Sequence, residues 1–222
     1  MGTFSKRHLY QEKKTMFCAL LPKVQKLITR LPPLVGRDNR NNRTMGQYYR
    51  IIILADNTAA RSKEVIRAWT DPHDYGDGSK LMEHSYLFNE MLQDIETMLS
   101  PNGAFHCSRL VWAGDYAEND TGEEENLYRR CEKEARHLIP RQFYRSNCSY
   151  IVNHTKKEYI DKGAIKGIIH PLPLLTSEGN GAGGGDYRGD NEYLCGSWAR
   201  DMISMEYEKP EGYTERVYDF AE

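Results

Sequence analysis

The spacing of apolar residues changes along the chain and predicts both strands and helices. Residues 48–54 form a run rich in aromatic and β-branched side chains that is typical of a strand, and residues 65–69 read as its hairpin partner. Apolar side chains then recur at helical spacing over residues 87–99, and Pro-Asn-Gly at 101–103 predicts the end of that helix. We therefore expect a hairpin followed by an amphipathic helix.

The middle of the chain repeats this order. Residues 105–113 predict a strand. A helix follows over residues 127–138, with apolar side chains on one side, and Thr121 and Glu124 have the spacing of a capping box before it. A second strand and helix pair is thus expected here.

Helical patterns stop in the last third of the chain. Residues 148–152 and 157–160 flank a polar turn and predict a second hairpin, and three short strands are predicted at residues 165–169, 193–198 and 202–207. Strands that follow one another without intervening helices favour antiparallel pairing. The sequence predicts an α+β fold with a mainly antiparallel sheet and two or three packed helices.

Charge divides the chain into two parts. Residues 1–44 carry ten basic and two acidic side chains, so the remainder is at −10 in a chain whose net charge is −2. We predict a poorly ordered basic extension over residues 1–44 and a single α+β domain over residues 45–222, which suits a length of 222 residues. Because phosphate contacts need a basic surface, the acidic domain is not expected to bind nucleic acid.

The extension leaves two locations open. It is acid-poor and partly amphipathic, as a mitochondrial presequence is, but its prolines and the polar run at 37–44 also suit an unstructured tail or an upstream start codon. The five cysteines are odd in number and follow no secretory signal, which favours a reducing compartment. No apolar run is long enough to span a membrane, so we predict a soluble cytoplasmic protein, with a mitochondrial location as the alternative.

Glycines are concentrated in residues 179–189. The segment matches GxGxxG. A dinucleotide-binding loop of this kind must lead into a helix, and no helical pattern follows here. A phosphate-binding P-loop has a lysine after its glycines, and this segment has none. Six glycines in eleven residues are costly to order, which suggests that the loop contacts a ligand or partner. The predicted binding residues are Asn180, Gly181, Asp186, Tyr187 and Arg188.

Catalytic and metal-binding motifs are not recognisable. Lys80 and His84 would share a helical face, and with Asp115 they are the candidates for acid-base chemistry. The candidate metal ligands have no CxxC or HExxH spacing, so we predict no metal and no cofactor. These candidates are His106, Cys107, Cys131, His137, Cys148, His154 and Cys195.

Several phrases of the sequence carry a resemblance. Residues 45–50 (MGQYYR), 76–84 (GDGSKLMEH) and 111–116 (VWAGDY), together with the glycine-rich run, resemble a family of uncharacterised proteins from bacteria and their phages. Members of that family typically begin at the Met-Gly-Gln-Tyr-Tyr phrase, which implies a domain edge at Met45 and leaves residues 1–44 as a departure. The resemblance implies no activity, ligand or catalytic residue.

The sequence leads to two functional hypotheses. The first is a non-enzymatic binding or interaction protein that uses the glycine-rich loop 179–189 to contact a protein or small-molecule partner. The alternative is a small enzyme or nucleotide-sensing domain that acts on a phosphate-bearing ligand. An enzyme needs a concave site where polar groups converge, whereas an interaction protein needs only an exposed patch.

Overall fold

The computed structural model describes residues 47–56, 63–139, 146–179 and 185–220, all within the unit Met45–Glu222. The predicted extension, residues 1–44, lies outside the described residues. Within them the fold is α+β, with one large mixed sheet of nine strands and four α-helices. None of these helices is long and apolar enough to cross a membrane.

The elements are numbered in chain order. The strands are β1 (Tyr49–Leu54), β2 (Ile66–Thr70), β3 (Ser108–Gly114), β4 (Arg136–His137), β5 (Tyr150–Asn153), β6 (Glu158–Asp161), β7 (Ser177–Glu178), β8 (Met202–Glu206) and β9 (Thr214–Glu215). The helices are α1 (Leu81–His84), α2 (Glu90–Leu99), α3 (Leu127–Glu134) and α4 (Pro171–Thr176). Short 3₁₀ turns occupy Pro72–Tyr75, Lys162–Ala164 and Glu192–Leu194.

The sheet is mostly antiparallel, as predicted. Its order is β4-β2-β1-β3-β8-β5-β6-β9, and the two-residue strand β7 pairs with β3 beside β8. The longer strands pair antiparallel, including both predicted hairpins, β1 with β2 and β5 with β6. The parallel pairs involve only the short strands β4, β7 and β9. Strand β8 therefore lies between β3 and β5 and joins the two hairpins.

The middle of the sheet is buried on both faces. Ile51, Ile53 and Trp112 belong to the core that includes α2 and α4, whereas Ile52 and Val111 pack with α3 on the other face. Successive residues of a strand point to opposite faces, so a strand covered on both sides is apolar at nearly every position. This explains the unbroken apolar run of residues 51–54 in β1.

Two predicted strands are absent, and one helix was missed. Residues 165–169 form only an isolated bridge at Ile169, and residues 193–198 form turns whose Trp198 is apolar because it fills the core. The missed helix, α4, begins with Pro171, which suits the first helical position because its missing N–H needs no partner there. A six-residue helix with two prolines is too short to show helical periodicity.

The helix predicted over residues 127–138 is shorter than expected. It ends at Glu134, and Arg136–His137 instead form strand β4 beside β2. The predicted capping box at Thr121 and Glu124 is wrong, because Asn126 caps the helix by accepting a hydrogen bond from the backbone N–H of Arg129 at 3.2 Å.

Candidate functional site

Of the three predicted acid-base residues, His84 lies inside the core. Its Nδ1 lies 2.9 Å from the carbonyl oxygen of Gly78, which can only accept, and its Nε2 accepts from the indole N–H of Trp112 at 3.2 Å. The side chain is fully buried, and burial lowers the pKa of His84. Both ring nitrogens are thus occupied within a neutral, structural histidine.

Lys80 and Asp115 lie on either side of Tyr48 at one edge of the fold. Lys80 forms an isolated antiparallel bridge with Tyr48, and Asp115 Oδ1 accepts from the Tyr48 backbone N–H at 3.0 Å. Burial raises the pKa of Asp115, and this effect outweighs the backbone hydrogen bonds to its carboxylate, which by themselves lower the pKa. Two of the three predicted residues therefore flank Tyr48, whereas His84 points into the core.

The glycine-rich segment is described only in part. Asn180 and Gly181 lie outside the described residues. Asp186 Oδ1 accepts from the Met82 backbone N–H at 3.0 Å, and Tyr187 is buried with its ring edge-on to Phe220. Arg188 remains 57% exposed, although it donates to the Gly185 carbonyl at 3.0 Å. Of these three side chains, Arg188 is the one that is open to solvent.

A different group of polar side chains converges where β3 begins. We call it the Cys107 cluster. Two of its members precede β3, two lie on β8, one follows β5 and one precedes β9. Its members are His106, Cys107, His154, Ser204, Glu206 and Tyr213.

Strand order explains how the Cys107 cluster assembles. Ser204 and Glu206 are two residues apart on β8, so they share one face of the sheet. On one side of β8 lies β3, where Ser108 pairs with Ile203 and brings the preceding residues alongside Ser204. On the other side lies β5, which ends at Asn153, directly before His154. Strand β8 therefore lies between the residues that precede β3 and the residue that follows β5, and its own side chains contact both.

Contacts within the cluster are close. His106 Nε2 lies 2.7 Å from Glu206 Oε1, and Cys107 Sγ lies 3.7 Å from the same nitrogen and 3.5 Å from His154 Nε2. Ser204 Oγ donates to Glu206 Oε1 at 2.6 Å and lies 2.7 Å from His154 Nε2. The thiol therefore contacts two imidazoles, one of which is bound to a carboxylate.

The backbone at Cys107 is what lets two adjacent residues contribute. Cys107 has φ = 53°, in the left-handed region that L-residues other than glycine rarely adopt. In an extended strand, neighbours such as His106 and Cys107 would point to opposite faces. The left-handed turn breaks this alternation, so both side chains reach Glu206. Strained residues of this kind are concentrated at functional sites.

The surroundings of Cys107 and His154 favour the neutral form of each side chain. Burial, with the negative charge of Glu206 added, raises the pKa of the Cys107 thiol. Burial also lowers the pKa of His154. A bound divalent cation would reverse the preference of the thiol, because it stabilises a thiolate, and it would take the imidazole in its neutral form.

Three of these residues have the arrangement of metal ligands. The ligand atoms of His106, Cys107 and Glu206 all lie within 4.8 Å of one another. Zinc bonds of about 2.0–2.3 Å in a tetrahedral site would place ligand atoms roughly 3.3–3.6 Å apart. The observed 3.7 Å between Cys107 Sγ and His106 Nε2 is close to that spacing, whereas the 2.7 Å between His106 Nε2 and Glu206 Oε1 is a hydrogen bond that a bound ion would have to replace. The sequence named His106 and Cys107 as candidate ligands, but gave no indication of Glu206.

Comparison of the chain with protein families, with curated proteins and with solved structures gives no match. The resemblance to phage and bacterial proteins accordingly stays a prediction. Function must be argued from the geometry of the chain itself.

Proposed function

We propose that this protein binds a divalent transition-metal ion of the zinc class through His106, Cys107 and Glu206. The observation that carries the proposal is the mutual approach of one imidazole, one thiol and one carboxylate to within 4.8 Å. These three groups are the ligand types that zinc takes in proteins. This makes the chain a binding protein, in line with the first functional hypothesis, but at a different site from the glycine-rich loop.

The ligand types also favour one class of ion. Thiolate and imidazole are soft or borderline ligands that suit zinc, cobalt or copper, whereas magnesium and calcium need oxygen ligands. Only one oxygen donor, Glu206, belongs to the three-residue set. Zinc binding without magnesium binding is therefore expected.

Zinc titration of the full-length protein by calorimetry tests the proposal. We expect zinc to bind the wild-type chain at the Cys107 cluster, and we expect His106→Ala and Cys107→Ser to lower that affinity by more than 100-fold, since each removes a ligand. The matched control is His137→Ala. His137 Nε2 also lies 2.7 Å from a carboxylate oxygen, that of Asp74, and its side chain is 37% exposed against 34% for His106.

The comparison of the two histidine variants decides the outcome. If His106→Ala binds zinc as tightly as His137→Ala does, or if the wild-type chain does not bind zinc, the proposed site is wrong. Stabilisation of the wild-type fold by zinc provides a second readout, since a ligand at 100 times its Kd raises the free energy of unfolding by about 2.7 kcal/mol.

A second proposal concerns the glycine-rich segment 179–189, which we infer contacts a partner or a phosphate-bearing ligand. Supporting it, Asp186 fixes the segment to the start of α1 while Arg188 stays exposed. Thermal unfolding in the presence of nucleotides and sugar phosphates tests for the phosphate-bearing ligand and so distinguishes it from a partner. A stabilisation that Arg188→Ala abolishes favours the phosphate-bearing ligand, and no shift with any of these compounds argues against it.

A further inference from the structure

His154 contacts the proposed metal ligand Cys107 from the turn that follows β5. Its Nε2 lies 3.5 Å from Cys107 Sγ, slightly closer than the 3.7 Å of His106 Nε2. Both distances are near the roughly 3.5 Å expected between sulfur and nitrogen ligands of one tetrahedral zinc ion. By its distance from the thiol, His154 is as well placed to be a ligand as His106.

The other ring nitrogen of His154 is held as a metal-binding histidine requires. Nδ1 lies 3.0 Å from the hydroxyl of Tyr213, and the two rings are edge-on with centroids 5.7 Å apart. Histidine ligands almost always use their second nitrogen for such a contact, which fixes the ring and the position of its proton. In the metal-free protein the Ser204 hydroxyl donates its only hydrogen to Glu206, so Nε2–H of a neutral His154 donates to Ser204 and Nδ1 accepts from Tyr213. When a metal takes Nε2, the ring proton lies on Nδ1 and the Tyr213 hydroxyl accepts a hydrogen bond from Nδ1–H.

The remaining contact of His154 Nε2 is easily given up. Its partner is the hydroxyl of Ser204, which already donates to Glu206 Oε1. Ser204 therefore keeps a hydrogen bond when His154 moves. The buried histidine His84, outside the cluster, has no nitrogen that could be released in this way. Both nitrogens of His84 are engaged by Gly78 and Trp112 inside the core.

His154 has only a short distance to move. Its ligand atom is not among the three that lie within 4.8 Å of one another. However, Ser204 Oγ contacts both His154 Nε2 and Glu206 Oε1, so these two atoms are no farther apart than the sum of two hydrogen bonds. Bringing these two atoms to the ligand spacing of about 3.3–3.6 Å needs a shift of at most roughly 2 Å, which side-chain rotation can supply.

We propose that His154 is the fourth ligand of the metal, that it closes a tetrahedral Cys-His₂-Glu centre, and that Tyr213 is the residue that positions it. This inference rests on the proposed zinc site. A centre with four protein ligands has no open position for a substrate, so the metal is structural. It joins the start of β3, the end of β5 and the strand β8 between them.

Cobalt substitution tests the fourth ligand, because tetrahedral Co²⁺ absorbs visible light far more strongly than five- or six-coordinate Co²⁺. We expect the full-length protein to give a strong visible spectrum together with thiolate-to-cobalt charge transfer. His154→Ala should weaken the visible bands and lower zinc affinity by more than 100-fold, and added imidazole should restore the bands. Tyr213→Phe should lower zinc affinity by about 10- to 100-fold, the usual effect of losing a group that orients a ligand. Tyr207→Phe, at an exposed tyrosine just after β8, is the matched control.

The outcomes separate the two proposals. If the wild-type chain binds neither zinc nor cobalt, the proposed function is wrong. If it binds both, but His154→Ala leaves affinity and spectrum unchanged, the three-ligand site stands and the inference about His154 is overturned. His154→Cys guards against loss of folding in the alanine variant. It should keep a tetrahedral spectrum and roughly double the charge-transfer absorption, and an unchanged charge-transfer band would count against a ligand at position 154.

Discussion

The buried carboxylate of Glu96 connects three parts of the fold, and its removal is a direct test of how the core is held. Glu96 lies on α2 and is 4% exposed. His170, which caps α4, lies with Nε2 2.9 Å from Glu96 Oε1, while its Nδ1 accepts from the Leu172 backbone N–H at 3.2 Å. Lys162 Nζ lies 2.6 Å from the same carboxylate. Nδ1 of His170 accepts a hydrogen bond, so its Nε2 donates to Glu96, and Lys162 forms an ion pair with the same carboxylate.

The substitution Glu96→Gln measures this arrangement. Removing one partner of a buried ion pair costs about 3–5 kcal/mol, because the other charge is left without compensation. The Lys162 side chain is 20% exposed and therefore partly hydrated, and the glutamine oxygen can still accept from His170. Both points favour a smaller loss, so we expect the free energy of unfolding to fall by about 2–3 kcal/mol near neutral pH.

The loss should depend on pH. Burial by itself raises the pKa of Glu96, but the hydrogen bond from His170 and the charge of Lys162 outweigh burial and lower the pKa. The folded-state pKa is thus below the value of about 4.3 in the unfolded chain. The carboxylate stabilises the fold above that value, and this contribution is lost as the pH falls through the lowered folded-state pKa. Wild type and Glu96→Gln should therefore converge in stability at acid pH.

Urea denaturation of both proteins across this pH range is the assay. With a urea dependence of about 2 kcal/mol per molar, the expected loss near neutral pH shifts the midpoint by roughly 1 M. Glu90→Gln is the control, since Glu90 is exposed on the same helix and its loss should cost at most about 1 kcal/mol. An equal difference between wild type and Glu96→Gln at neutral and acid pH would refute the reasoning.

Three further predictions concern stability, each measured as the urea midpoint of the metal-free protein. Gly179→Ala should cost about 1–3 kcal/mol because its Cβ would contact the Gln47 amide, and adding Gln47→Ala should recover most of this loss; no recovery would assign the cost elsewhere. Arg200→Lys should cost about 1–2 kcal/mol, since lysine cannot form both bonds to Glu178, of 2.6 and 2.7 Å; an unchanged midpoint would show that the pair is dispensable. Cys107→Gly should be about 1 kcal/mol more stable than Cys107→Ala, because glycine adopts a positive φ without strain; the reverse order would contradict the strain at this position.

Local patterns predicted the parts of the fold whose apolar spacing reflects their own burial. The strand at residues 48–54 and the helix that begins at Glu90 are of this kind, because each buries a long apolar run or stripe. Strands β4, β7 and β9 could not be predicted in this way. Each has two residues, and each is defined by pairing with a strand that is distant in the sequence.

The Cys107 cluster shows the same limit for function. His106, Cys107 and His154 were recognised as ligand types, but their spacing matched no local metal-binding motif. Glu206 lies 100 residues from His106, and only the position of β8 between β3 and β5 brings them together. The acid-base candidates failed in the opposite way. Lys80 and His84 are close in sequence, yet the His84 side chain is fully buried in the core and is separated from solvent.

The left-handed backbone at Cys107, one of four described non-glycine residues with positive φ, supports the proposal that this cluster has a use beyond packing. A glycine there would remove roughly 1–2 kcal/mol of strain, and a hydroxyl or methyl group would fill the same space as the thiol. The strained conformation instead places a thiol beside two imidazoles and a carboxylate, where burial keeps the pKa of the thiol raised. A metal ion would use all of these features together: it needs the turn that aligns adjacent ligands, and its charge would offset the cost of ionising a buried thiol. The proposed metal binding would thus account for the left-handed turn and for the combination of ligand types together.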